Sequence, residues 1–171
     1  MIRGMLPLRE LPRVEALEED ARKYSLEPTT LLAFLSVLIA GAEVERRVEP
    51  HFARYGLSQA RFVVLMALRR RPDHAATPAD LADHAAVTRA TMTGLIDGLE
   101  GDGLVERTSR TDDRRSVDVH LTKKGLQLLE KILPDHYARI GELMGKLTKA
   151  EKKQLTVLLG KMREGIAAAS G

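Results

Sequence analysis

The 171-residue sequence contains no cysteine, no tryptophan and no asparagine. Without cysteine there is no disulfide scaffold, thiolate zinc site, iron–sulfur cluster or thiol redox sensor. The hydrophobic fraction of 44% and the charged fraction of 30% are typical of globular proteins, which excludes disordered and fibrous classes. The length suits one globular domain, or a small domain joined to an oligomerisation element.

Catalytic and cofactor-binding motifs are also missing from the sequence. There is no Walker A motif, no His-Glu-x-x-His and no Gly-x-Ser-x-Gly, so we predict that the protein is not an enzyme and needs no cofactor. The five histidines lack the close spacing of metal ligands, and we predict no metal site. The formal charge of +3 permits a nucleic-acid partner without establishing one.

No segment of the sequence is expected to enter a membrane. Residues 1–12 lack an apolar stretch followed by a cleavage site, so no secretory signal is predicted. The apolar run from Leu31 to Ala42 is shorter than the roughly 20 residues that a bilayer requires. We therefore expect a buried helix there, no membrane partner and a cytoplasmic protein.

The first third of the chain is predicted to be helical. A charged segment from Pro12 to Tyr24 predicts a short helix within an N-terminal extension, residues 1–28. A long helix is expected from residue 29, with Thr29 or Thr30 as its N-cap and Gly56 as its stop. Its apolar residues cover too wide an arc for one-sided burial, which suggests a second subunit as their partner.

Residues 57–121 begin with three predicted helices. The first runs from Ser58 to Arg71, and two shorter ones cover Pro78–Ala85 and Thr88–Asp102. The start of the middle helix is well marked, because Thr77 is a good N-cap and a proline follows it at the first helical position.

The periodicity of the sequence changes after Gly103. Apolar and polar residues alternate in Leu104–Thr108 and again in Ser116–Leu121, which predicts two strands joined by a basic, polar tip. Two helices with a tight turn, followed directly by such a hairpin, form a winged helix-turn-helix. This arrangement suits DNA, because the major groove admits one helix while the hairpin can reach a flanking minor groove.

The rest of the chain is predicted to return to helix. Thr122 caps one long helix, and Thr148–Glu151 form a capping box that opens the last one. With residues 29–56, residues 122–168 should form a helical dimerisation region, because their apolar faces exceed what one subunit can bury. The expected fold is mainly α with a small β-wing: a winged helix-turn-helix DNA-binding domain at 57–121 plus the helical dimerisation domain.

Several motifs are shared with a known family. They are Leu81-Ala82 with Val87 to Thr93, Leu99 to Arg107, and Asp113-Arg114-Arg115 followed by Leu121-Thr122-Lys123-Lys124-Gly125. With them the sequence resembles the MarR family (multiple antibiotic resistance regulators) over roughly Val44 to Ile166. The resemblance implies a homodimer that represses transcription from pseudo-palindromic operators in double-stranded DNA. It also implies release by a small aromatic or phenolic acid, which is common in this family.

The family's DNA-binding residues carry over to two places in this sequence. Four lie at the start of the second helix of the motif, Thr88–Asp102, which is the recognition helix: Thr88, Arg89, Thr91 and Thr93. Of these, Arg89 can fork onto guanine O6 and N7. Four lie in the hairpin tip: Arg110, Asp113, Arg114 and Arg115. Arg115 matches the arginine that enters the minor groove, and Asp113 matches the acid that orients it. The other two residues are expected to contact phosphates. The alternative for Asp113 and Arg115 is an exposed ion pair of small effect.

One departure from the family pattern concerns the middle of the recognition helix. Gly94 stands where many relatives carry a longer polar residue. We therefore expect few direct base contacts and a greater dependence on DNA shape.

An effector site is expected near the junction of the first long helix with the next one. Aromatic and cationic side chains concentrate there: His51, Phe52, Arg54, Tyr55, Arg61 and Phe62. Apolar rings with one or two convergent cations suit a small aromatic acid, whose ring is buried and whose carboxylate is held by arginine. The alternative is plain hinge packing with solvated arginines.

Two classes of function remain open from the sequence alone. The first is a ligand-responsive, DNA-binding dimeric repressor. The second is a helical interaction protein with a winged fold that regulates through protein contacts without operator binding.

Overall fold

A computed structural model describes residues 13–109 and 117–169 and shows helices with one small sheet. In chain order the elements are α1 (Val14–Lys23), α2 (Pro28–Ala53), α3 (Gln59–Arg69), β1 (Ala75–Ala76), α4 (Pro78–Ala85), α5 (Arg89–Gly101), β2 (Val105–Ser109), β3 (Val117–Leu121), α6 (Lys123–Leu143) and α7 (Lys149–Ala169). The expected fold class, mainly α with a small β-wing, is confirmed. By contacts the chain divides into two compact units, Met1–Phe62 and Val63–Gly171, whereas the predicted division by function stays a prediction.

In the first unit, α1 packs against α2 and buries Leu17 and Ala21, which lie one turn apart. The start of α2 differs from the prediction. Glu27 is the N-cap, and its carboxylate accepts bonds from the backbone N–H groups of Thr29 at 3.1 Å and Thr30 at 3.0 Å. The two threonines therefore lie in the first turn and do not cap it. Their bonds, above all that of the Thr29 hydroxyl, hold the pKa of the Glu27 carboxyl below its ordinary value.

The length of α2 also corrects an expectation. The expectation of no membrane span considered only the apolar run Leu31–Ala42, but the complete helix has 26 residues and is long and apolar enough to cross a membrane. A core helix of a soluble protein passes the same test, so length and composition do not decide the matter. The second half of α2 carries charged residues at 43, 45, 46, 47 and 49.

The second unit contains a three-stranded antiparallel sheet with the order β1-β3-β2. The central strand β3 pairs with β2 from Val105↔Leu121 to Ser109↔Val117, and with β1 at Ala75↔His120. The hairpin of β2 and β3 lies where the alternating sequence predicts it. β1 was not predicted, because two consecutive alanines carry no alternating pattern.

The core of the second unit is almost entirely aliphatic. Its fully buried side chains come from several elements and include Leu65, Leu68, Leu81, Met92, Ile96, Leu99, Val105, Val119, Leu129 and Ile132. In α5, Met92, Ile96 and Leu99 follow the helical spacing of three and four residues, so the opposite face of α5 remains exposed. Burial of each such side chain contributes about 1.5–3 kcal/mol, which fixes the rotation of α5 about its axis.

The first turn of α6 is tied to the turn that ends α5. The Thr122 hydroxyl caps α6 and also donates to the carbonyl of Leu104 at 3.1 Å. The Lys124 ammonium donates to the carbonyl of Asp102, the C-cap of α5, at 2.6 Å. Gly125 lies so close to β2 that a Cβ atom would overlap the Leu104 carbonyl. The glycine is therefore a condition for this close approach.

The predicted capping box at the start of α7 is confirmed. The Thr148 N–H donates to the Glu151 carboxylate at 2.7 Å, and the Glu151 N–H donates to the Thr148 hydroxyl at 3.3 Å. The bond from the Thr148 backbone is the main reason that the pKa of Glu151 is lowered. No residue of α7 is buried, and its exposed apolar side chains include Leu155, Leu158, Leu159 and Ile166.

We expect Gly125→Ala to lower the free energy of unfolding by about 1–3 kcal/mol, because the added methyl group must displace the Leu104 backbone. The matched control is Gly94→Ala in α5, where an added Cβ meets nothing within 4 Å. That variant should be more stable by about 0.5–1 kcal/mol, because alanine favours a helix interior. Urea denaturation at one fixed protein concentration measures both, and equal effects of the two substitutions would contradict the close approach.

Candidate nucleic-acid interface

A tight turn joins α4 to α5. Thr77 caps α4 through its hydroxyl, as the sequence predicts. Ala86 is the C-cap that follows α4, and its backbone is left-handed with a φ of 51°. The Val87 N–H donates to the Ala82 carbonyl at 3.1 Å. Thr88 then caps α5. The two helices of the predicted helix-turn-helix are thus present with the expected boundaries.

The four predicted residues of the recognition helix lie together on the first turns of α5, and all are exposed. The Thr88 hydroxyl accepts a bond from the Thr91 N–H at 3.1 Å, and the two hydroxyl oxygens are 2.9 Å apart. The Thr93 hydroxyl donates to the Arg89 carbonyl at 3.0 Å. These local bonds restrict the threonine rotamers, so Arg89 is the residue whose several donors can extend furthest from the helix.

The remainder of the exposed face of α5 is small or acidic. It consists of Ala90, Gly94, Asp97, Gly98 and Gly101. Open space surrounds the position that a side chain at Gly94 would occupy. Beyond its first turns, α5 therefore has few groups that could form hydrogen bonds to base edges. The expectation of sparse base contacts stays a prediction.

Arg107 connects β2 to α5, a contact that the sequence did not predict. One of its terminal nitrogens donates to Asp97 Oδ1 at 2.6 Å and the other to the Glu100 carboxylate. The Arg107 backbone N–H donates to the second oxygen of Glu100 at 3.0 Å. The hydrogen bond to Asp97, followed by that to Glu100, raises the pKa of the guanidinium. The sequence feature that could have indicated this contact is an arginine at an inward-facing position of a predicted strand.

The four predicted residues of the hairpin tip, Arg110, Asp113, Arg114 and Arg115, lie outside the described residues. Their place in the sequence is between the end of β2 and the start of β3. Their contacts with DNA remain a prediction.

The predicted effector residues lie at the end of α2 and the start of α3, within the first unit. The buried rings of Phe52 and Phe62 stack with centroids 4.4 Å apart. The buried His51 ring meets Phe52 and Tyr55 edge-on, at 5.1 Å and 5.5 Å. An Arg54 nitrogen lies 3.0 Å from His51 Nδ1, and because guanidinium can only donate, this contact requires the tautomer protonated at Nε2.

The sixth predicted effector residue, Arg61, is partly buried on the first turn of α3. The structure thus brings the aromatic members of the cluster into contact and places the Arg54 guanidinium against His51. A small cleft in the same unit lies elsewhere, lined by Leu17, Glu18, Pro28, Thr29 and Leu32. Over residues 13–109 and 117–169, no group of three or more acidic or histidine side chains is arranged to hold a metal ion.

Comparison with known sequences matches the chain to one family of regulators. A family model described as MarR family matches residues 57–117. The chain is similar to the HTH-type transcriptional repressor YetL of Bacillus subtilis (strain 168), with 35% identity over 163 residues. That match covers 95% of this chain and 98% of YetL.

Comparison with solved structures agrees with the sequence matches. Sco3205, a MarR family transcriptional regulator from Streptomyces coelicolor in complex with DNA, has a TM-score of 0.78 at 24% identity, covering 82% of this chain and 89% of that one. A mutant MarR from E. coli complexed with operator DNA has a TM-score of 0.68 at 27% identity, covering 74% and 89%. BpsR of Bordetella bronchiseptica, whose DNA binding is regulated by 6-hydroxynicotinic acid, has a TM-score of 0.57 at 30% identity, covering 71% and 98%.

Proposed function

The chain belongs to the MarR family of transcriptional regulators, and from this premise we propose that it is a homodimeric repressor of pseudo-palindromic operator DNA. The observation that carries this proposal is the exposed start of α5. Arg89 and three threonines are presented there on a helix whose opposite face is anchored in the core. Such a helix can enter a major groove without losing its packing. Because its target is chromosomal DNA, we place the protein in the cytoplasm and expect no membrane partner.

The relative with operator DNA supports this use of α5. It shares 27% identity over 74% of this chain and 89% of its own, and its structure contains operator DNA. In a two-fold dimer, each α5 would occupy one of two successive major grooves about one helical turn apart. The tip residues Arg110, Asp113, Arg114 and Arg115 would then reach the flanking minor grooves.

The exposed apolar surface of α7 supports a homodimer. Leu155, Leu158, Leu159 and Ile166 recur at helical spacing and are 37–55% exposed, so they form one apolar stripe. In α2, Phe34 is 48% exposed and Leu35 is the buried member of the apolar run. Obligate homodimer interfaces are large and apolar, commonly above about 2,000 Å². A second copy of the chain is the partner that these faces would suit.

The cluster at the end of α2 supports an effector that is a small aromatic acid. The Phe52 and Phe62 rings supply apolar surface, and Arg54 and Arg61 could hold a carboxylate. The regulation of BpsR by 6-hydroxynicotinic acid is a precedent in a relative. Such a ligand would act through its different affinities for two separations of the recognition helices.

The dimer is expected to have twice the chain mass of 18.9 kDa by light scattering at micromolar concentration. Leu158→Glu should dissociate it, because a carboxylate would be buried in an apolar interface. The control is Val157→Glu, since Val157 is similarly exposed (57% against 53%) but lies on the other side of α7. A monomeric wild type, or equal dissociation of both variants, would refute the assigned interface.

For DNA binding, Arg89→Ala should weaken operator affinity by about 1–3 kcal/mol and relax the preference at one base pair per half-site. Arg115→Ala should cost a similar amount, with discrimination lost in the A·T-rich flanks. Lys161→Ala, which removes an exposed cation from the side of α7 that carries Val157, is the control and should change little. Fluorescence anisotropy with the protein's own promoter DNA measures these effects.

The affinity of the wild type should also fall by orders of magnitude between about 50 and 200 mM salt, through counterion release. If the wild type shifts no promoter DNA at low salt, the alternative of regulation through protein contacts replaces this proposal.

For the effector, salicylate-like acids should raise the melting temperature and weaken operator binding together, because one ligand is linked to both equilibria. Arg54→Ala and Arg61→Ala should each reduce both responses. Arg46→Ala, at an exposed position on α2 that pairs with Glu43, is the control and should keep them. An aromatic-acid panel that changes neither quantity, or responses that persist in both test variants, would show that this cluster is not the effector site.

A further inference from the structure

The contact between Arg107 and α5 lies where the apolar core ends. Val105 and Arg107 lie on the same face of β2, because side chains on one face of a strand recur every two residues. Val105 is buried, and its neighbour on that face is an arginine with 28% of its side chain exposed. Across the sheet, Arg107 is paired with Val119, which is fully buried. Arginine thus occupies an inward-facing position that an aliphatic residue would ordinarily take.

The guanidinium joins two acids that lie on one side of α5. Asp97 and Glu100 are three residues apart and therefore adjacent on the helix surface. Arg107 bonds both carboxylates, and its backbone N–H bonds Glu100 as well. A planar fork with two anionic partners and a third bond from its own backbone restricts both the side chain and the strand. The arrangement is therefore more constraining than a single exposed salt bridge.

The negative charges of Asp97 and Glu100 are unfavourable for a surface that binds DNA. Asp97 has 59% of its side chain exposed and lies on the same exposed face of α5 as Gly94. A carboxylate near phosphates is repelled, and Arg107 can neutralise only one of the two negative charges. Repulsion alone would favour a neutral residue at each position. The presence of the two acids is explained if they hold the hairpin in place and do not contact the DNA.

We propose that Arg107 is a positioning residue that, through Asp97 and Glu100, sets the angle of the β2–β3 hairpin on the recognition helix. The inference rests on the proposed DNA binding. Arg107 acts in it by holding β2 and β3 against α5, so that the helix and the two strands engage DNA as one rigid surface. Preorganisation of this kind lowers the entropy that binding must otherwise overcome.

The sign of one substitution separates this role from simple electrostatics. Glu100→Gln removes a negative charge near the DNA, which by charge alone would tighten binding. If the acid positions the hairpin, the same variant should instead bind operator DNA about tenfold more weakly. The matched control is Glu106→Gln. It makes the same chemical change on β2 at the residue before Arg107, whose side chain lies on the other face of the strand. It should bind as well as the wild type, or slightly better.

A double-variant cycle tests whether Arg107 and Glu100 act through each other. Arg107→Gln should weaken operator binding, and adding Glu100→Gln to it should weaken binding no further. Arg107→Lys, which keeps the charge but cannot span both acids, should recover only part of the affinity. If Arg107 instead contacts phosphate directly, Arg107→Gln reduces the salt slope by about one and Glu100→Gln does not weaken binding. That result would overturn the proposal.

Hydrogen exchange provides a measurement that needs no DNA. In Glu100→Gln, backbone amides of Val105–Ser109 and Val117–Leu121 should exchange faster than in Glu106→Gln, while the urea midpoints stay equal. Unchanged exchange would overturn the anchoring of the hairpin. If the wild type binds no DNA, the proposed function fails, and the exchange experiment still decides whether Arg107 holds the strands to α5.

Discussion

The second unit depends on one close approach of backbone to backbone, between the first turn of α6 and the turn that follows α5. Only a glycine fits at position 125, where a Cβ would overlap the Leu104 carbonyl. Thr122 and Lys124 then bond the carbonyls of that turn. These bonds join the turn that follows α5 directly to the start of α6.

The exposed side of α5 has two parts with different contacts. The threonine hydroxyls are first used within the helix, where they cap and stiffen its N-terminus. In the proposed function, direct recognition depends on Arg89; open space surrounds the position that a side chain at Gly94 would occupy. The acids further along are tied to Arg107. In the proposed function, the first turns of α5 recognise DNA and its later turns hold the hairpin.

Apolar surface elsewhere in the molecule has a different character. α5 buries one face completely, whereas α7 buries none of its residues and exposes an apolar stripe. In the proposed homodimer, a second subunit would cover this stripe.

Much of the local structure was determined by the sequence itself. The caps at Thr77, Thr88, Thr122 and Thr148 and the boundaries of α4 and α5 were all predictable, because each depends on bonds between residues no more than four apart. The resemblance to a known family also placed Arg89 at the start of the recognition helix. The N-cap of α2 was missed because Glu27, an uncommon capping residue, competes with two threonines that follow it. Strand β1 and the partners of Arg107 were decided only by the tertiary structure, since two alanines and an arginine acquire their roles from elements that the fold brings beside them.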